Sequence, residues 1–154
     1  MRDMLFRAKS ICADSPGDTS HNYWVEGSLI HQTEFYGDPV DVYHIVKVGE
    51  FHCDYYDSEE VWPETVGQFT GLYDRNDKKI YEGDIVKTKY GRLCIVVWFA
   101  NQVHNGWDLE VIRTVENCVH TRYPDSIDLY KKENLEVVGN IHDNPEMLKE
   151  KNYE

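Results

Sequence analysis

A chain of 154 residues, 41% hydrophobic and 13% aromatic, carries enough apolar surface for a real core, which excludes an intrinsically disordered protein. Its 28 acidic residues outnumber 16 Lys and Arg, giving a formal charge of −12 that disfavours non-specific nucleic-acid binding, since such binding needs a basic face. The start, Met1-Arg2-Asp3-Met4-Leu5-Phe6-Arg7, lacks the apolar stretch of a signal peptide and no segment approaches a membrane span, so a cytoplasmic home with reduced thiols is expected.

In chain order, Met4 to Ala8 is a short strand candidate, and Asp14-Ser15-Pro16-Gly17-Asp18 is a turn cluster. Tyr23 to Ile30 reads as a strand in which Gly27 marks a bulge or a close backbone approach. Gly37-Asp38-Pro39 breaks the chain before a weaker strand over Val40 to Val46. Asp54 to Glu60 is acidic and expected to be exposed. Pro63 and Gly67 bracket a turn or a single helical turn ahead of Gln68 to Tyr73. Asp74-Arg75-Asn76-Asp77-Lys78-Lys79 is a tight connection.

Ile85 to Tyr90, the turn at Gly91 and Leu93 to Phe99 make the best hairpin in the sequence. Trp107 to Ile112 reads as a strand returning along that hairpin, although Leu109, Ile112, Val115 and Cys118 also fit a helical stripe. Leu135 to Ile141 is a strand expected to share a sheet system with the hairpin. In the tail, Asn144 can cap a short helix with Pro145 at its first position and Glu146 at its positive end. These elements predict a mainly β (β-rich α+β) protein. An N-terminal β-rich region spans 1–73, and a C-terminal region with the terminal helix spans 74–154; one intertwined domain is the alternative.

Four segments in this order resemble the YopX family of phage and prophage proteins. They are Phe6 to Ser10, Trp24 to Ile30, the long block Pro63 to Asn76 continuing through Ile80 to Val86, and Val137 to Glu146. The resemblance implies a phage or prophage origin and a β-rich fold whose C-terminal part is small and SH3-like or barrel-like. It supplies no catalytic residues. Asp77 stands where the family turn usually carries Gly, and Asp tolerates the left-handed conformation less well, which puts the shape of that turn in question.

The candidate sites mostly have plain structural explanations. Cys12, Cys53, Cys94 and Cys118 lack the spacing of a zinc knuckle, so neither metal nor disulfide is expected to be needed for folding, and Cys94 lies in the core-like run Leu93 to Trp98. Gly67, Gly71, Gly83 and Gly139 are spaced as turn and bulge glycines rather than as a phosphate-cradling loop, so no cofactor is expected. Asp84 is best explained as a turn residue bonding nearby N–H groups, and His142-Asp143 as a strand end leading into the cap. His52-Cys53-Asp54 offers at most two ligands on one strand face, and a Cys94–His104 nucleophile pair has no local support. A local basic patch remains open around Lys78, Lys79, Lys87, Lys89 and Arg92.

One stretch points to a function. Asp54, Asp57, Glu59 and Glu60, with Tyr55 and Tyr56 between them, could meet a host or phage protein, with carboxylates for selection and tyrosines for buried area. The expectation is therefore a non-catalytic binding or regulatory protein, with DNA mimicry as its sharpest form. A hydrolase using His52, Asp54, His142 and Asp143, and a nucleic-acid-binding barrel, are the alternatives. Self-association stays open.

Overall fold

The computed structural model describes residues 4–11, 23–35, 37–47, 58–100, 105–113 and 131–149. The chain divides into two compact units, Met1–Phe69 and Thr70–Glu154. Among the described residues every paired strand is antiparallel and no α-helix occurs, so the fold is mainly β.

The first unit contains β1 (Phe6–Lys9), β2 (Trp24–Phe35), β3 (Pro39–Val46), β4 (Ser58–Glu60) and the start of β5 (Gly67–Tyr73). β2 changes partner partway along. Trp24 to Gly27 pair with β1, and Ser28 to Phe35 pair with β3. The change falls at Gly27, where a Cβ would lie 2.0 Å from the Val46 carbonyl oxygen, so the close approach expected of this glycine is what the backbone makes. β3 pairs in turn with β4, and Val61 then bridges to Ser10 at the end of β1. Ile11 N–H donates to Glu60 O and Trp62 N–H to Lys9 O, so the backbone pairing of this unit closes into a ring. Ala8, Val25, Ile45 and Val61 fill its interior, with Phe6, Leu29, Tyr43 and Val66 packed against them.

The second unit holds the end of β5, β6 (Lys79–Tyr81), β7 (Asp84–Thr88), β8 (Leu93–Ala100), β9 (Asn105–Arg113) and β10 (Leu135–Asn140). Four of these form a sheet in the order β10-β7-β8-β9. The hairpin at Gly91 and the strand from Leu135 thus share one sheet, and β9 returns along β8 as strand rather than helix. Its core is Ile80, Val86, Cys94, Val96, Trp107, Leu109 and Leu135, in which Cys94 is a buried apolar group.

Two expectations change. The tail is a single 3-10 turn, Pro145–Leu148, not an α-helix, and Asn144 gives it no side-chain cap. The Asn144 carboxamide instead turns back to accept the Asn140 N–H at 3.2 Å, so the first turn keeps its open donors and does not propagate. The turn at Asp77, by contrast, keeps the left-handed conformation (φ 63°) without glycine. Asp77→Gly should therefore stabilise the fold by about 0.5–1 kcal/mol, because relief of the left-handed cost exceeds glycine's extra unfolded-state entropy. A thermal melt checks this. A lowered melting temperature would show that the Asp77 carboxylate, which pairs with Lys132, matters more than its backbone.

Candidate partner-binding face

Cross-strand partners share a face of a sheet, so the register of β2, β3 and β4 decides which side chains stand together. Ile30 opposes His44, Gln32 opposes Val42, and Glu34 opposes Val40, while His44 also opposes Glu60. One face therefore carries Ile30, Val40 and Val42 with Gln32, His44 and the carboxylates Glu34 and Glu60. Ile30 is 44% exposed and Val40 59%, and the half-buried Val42 lies at the register position between them on the same face. His44 adds area rather than hydrogen bonds, since both its ring nitrogens are covered and lack a partner among the described residues.

The opposite face of the same hairpin is polar and internally satisfied. The Thr33 hydroxyl donates to Asp41 Oδ1 at 2.8 Å, His31 Nε2 lies 3.2 Å from that oxygen, and the His31 ring stacks on Tyr43 at 4.5 Å. The Thr33 hydrogen bond, helped by His31, holds the Asp41 carboxyl below the usual aspartate range. Phe35, at 75% exposure, stands beside the tip on this side.

Of the acidic stretch singled out in the sequence, Asp54, Tyr55, Tyr56 and Asp57 lie outside the described residues, and Glu59 and Glu60 are on β4. These two differ. Glu60 is exposed, whereas Glu59 faces inward, accepting the Tyr23 hydroxyl at 2.5 Å and pairing with Lys47 at 2.5 Å. Burial would raise the Glu59 carboxyl, but Lys47, Tyr23 and Ser10 outweigh it and hold it low, and the same bond raises the Tyr23 phenol. Glu59 thus ties β4 to the end of the ring, and Glu60 is the member of the pair that faces solvent.

Two buried carboxylates elsewhere, Asp84 and Asp74, are occupied by backbone. Asp84 is buried and accepts the Tyr81 N–H at 2.8 Å, as a turn residue should. Asn140 organises His142-Asp143: its Oδ1 accepts both their N–H groups at 2.9 Å, and its Nδ2 donates to Asp143 Oδ2 at 2.7 Å. The residue missed in the sequence is Asp74. It is completely buried and accepts three backbone N–H groups, from Asn76 at 2.8 Å, Lys78 at 2.9 Å and Val137 at 2.9 Å. Burial alone would raise this carboxyl, yet the three donors hold it below the usual aspartate range. Only the turn-former character of residues 74–79 hinted at it; the bond to Val137 had no local signal. His52, Cys53 and His104 lie outside the described residues. Among the described residues no three His, Cys, Asp or Glu side chains converge to hold a metal, and no helix is long and apolar enough to cross a membrane.

Among solved structures, the chain is similar to the crystal structure of protein EF1440 from Enterococcus faecalis, at 22% identity and a TM-score of 0.46, over 97% of this chain and 100% of that one. No curated protein matches. The family described as YopX protein matches residues 18–149, a span that takes in every strand from β2 to β10. With a match over most of its length, the chain belongs to the YopX family.

Proposed function

We propose that this chain is a phage- or prophage-encoded accessory protein that acts without catalysis, by docking a host or phage protein on the acidic β2–β3–β4 face. The observation that carries this is a single face of three strands on which the exposed Ile30, Val40 and Glu60 stand with the half-buried Val42 and Glu34. An apolar centre rimmed by charge is how protein interfaces are built, and the rim carboxylates would select a basic partner surface. Asp54, Tyr55, Tyr56 and Asp57, which precede β4 in sequence, are proposed to contact the same partner. Strict DNA mimicry asks for carboxylates spaced along one ridge. Here Glu34 and Glu60 lie at separate register rows, on a face shared with Ile30, Val40 and Val42, which favours the general form of docking.

The test begins with affinity capture of the partner and its purification. Replacing Ile30 and Val40 by Ser should then weaken binding about tenfold or more, mainly through faster dissociation. Replacing Asp54, Asp57, Glu34 and Glu60 by Asn or Gln should slow association and flatten its salt dependence, because exposed charges are screened beyond about 8 Å at physiological ionic strength. Folded variants that bind the partner at unchanged rates would refute the assignment of this face.

A further inference from the structure

The second unit carries a groove of opposite charge. It encloses about 420 Å³ and is lined by Arg75, Lys87, Thr88, Lys89, Tyr90, Gly91 and Glu136. The fold places these together by pairing: Lys87 on β7 opposes Glu136 on β10, Arg75 N–H donates to Leu135 O, and Lys89 N–H donates to Asn134 O. Arg75 and Glu136, both lining the groove, form an ion pair. Lys87 and Lys89 are exposed and have no ion-pair partner among the described residues. Lys89 Nζ sits 4.8 Å over the Tyr90 ring, and Tyr90 is 54% exposed. The turn behind them is fixed, since Thr88 Oγ1 accepts the Arg92 N–H at 3.2 Å and Gly91 N–H donates to Thr88 O at 2.8 Å.

From this geometry we propose that the groove binds a single-stranded nucleic acid, with Lys87, Lys89 and Arg75 on phosphates and Tyr90 as a stacking platform for a base. Three cations meet one carboxylate here, so the local charge is positive in a chain whose net charge is −12. Distant carboxylates count little at physiological salt, where screening acts beyond about 8 Å, so the groove's own side chains set the field that a phosphate meets. An exposed ring beside lysines is the pairing that single-strand binders use, and the groove's volume lies within the roughly 300–1,000 Å³ of ligand sites. The overall acidity keeps the rest of the surface from holding nucleic acid and confines binding to this groove. The site is on the other unit from the protein-docking face, and either can fail without the other.

Fluorescence anisotropy with a labelled oligothymidylate, and with a duplex of equal length, tests the proposal on the full chain. The single strand should bind at low salt and more tightly than the duplex. Lys87→Ala with Lys89→Ala should weaken binding about tenfold or more and make the salt slope shallower by about 0.7 for each phosphate that the lysines no longer neutralise. Tyr90→Ala should weaken it roughly tenfold at every salt concentration, leaving the slope unchanged. All three side chains are exposed, and circular dichroism should show the variants folded. The proposal is overturned if the single strand does not bind at low salt, if the lysine variant binds as the wild type does, or if the duplex binds equally well and Tyr90→Ala changes nothing.

Discussion

Replacing Asp74 with Ala should lower the unfolding free energy by about 3–5 kcal/mol, a large share of what a domain of this size has. The side chain is fully buried and its two oxygens accept the N–H groups of Asn76, Lys78 and Val137. Truncation strands three donors, and each buried unsatisfied donor costs about 1–3 kcal/mol, partly relieved if water enters. Two of those bonds fix the turn between β5 and β6, and the third reaches β10 at the irregularity between Val137 and Gly139. Asp74→Asn keeps the shape but aims an amide NH2 at a donor, so it should cost about 2 kcal/mol. Urea unfolding of the three proteins measures this, and equal midpoints would contradict it.

The same carboxylate sets an acid limit. Its folded pKa lies below the unfolded value of about 3.9, so its stabilising contribution is complete above that pH and fades as pH falls through the folded value. Glu59 is held low too and acts in the same direction. The stability difference between wild type and Asp74→Asn should therefore shrink below about pH 4 and be constant through neutrality. A difference that grew on acidification would reverse the sign assigned to Asp74.

Gly27→Ala should cost about 3 kcal/mol or more, at the upper end of overpacking effects. The new methyl would meet backbone, the Val46 carbonyl oxygen at 2.0 Å and its carbon at 2.7 Å, and backbone cannot rotate away as a side chain can. The expected consequence is separation of β3 from β2 near its C-terminal end, read as faster amide exchange at Ile45 and Val46. Gly71→Ala is the control: φ there is 82° with open space around it, so only the left-handed strain of about 1–2 kcal/mol applies. Equal losses at the two positions would mean that the close approach is not what Gly27 serves.

The elements most legible in the sequence are those whose burial is one-sided or complete. Ile85 to Val97 and Leu135 to Asn140 pair as their apolar runs suggest, and the β-branched neighbours of Ile112 correctly favour strand. The end of β2 is not legible, because His31, Gln32, Thr33 and Glu34 lie beyond the core and no alternation marks a strand exposed on both sides. The tail helix is expected from local rules satisfied at Asn144 and Pro145, which the bond from Asn140 to the Asn144 side chain overrides. Of the site, the acidic residues at 59 and 60 are visible and the pleat sets them on opposite faces, but the partners of the inward Glu59, Tyr23 and Lys47, are distant in sequence. The apolar part of the face, at Ile30 and Val40, depends on register and has no sequence signature.

Ring closure in the first unit also constrains the order in which the chain can fold. β1 is synthesised before the segments it meets: on one edge it pairs with Gly67 and Gln68, Ser10 bridges to Val61, and Lys9 N–H bonds Thr65 Oγ1 across 56 residues. These contacts cannot form until the Pro63–Gly67 segment has left the ribosome, so the hairpins β1–β2 and β2–β3 must persist as local structure with their apolar sides open to solvent. Loop-closure entropy is repaid only when Val61 arrives, which makes closure a late, cooperative step rather than a gradual zippering. A chain stopped before residue 60 would thus be a nascent protein at its most vulnerable to aggregation and proteolysis.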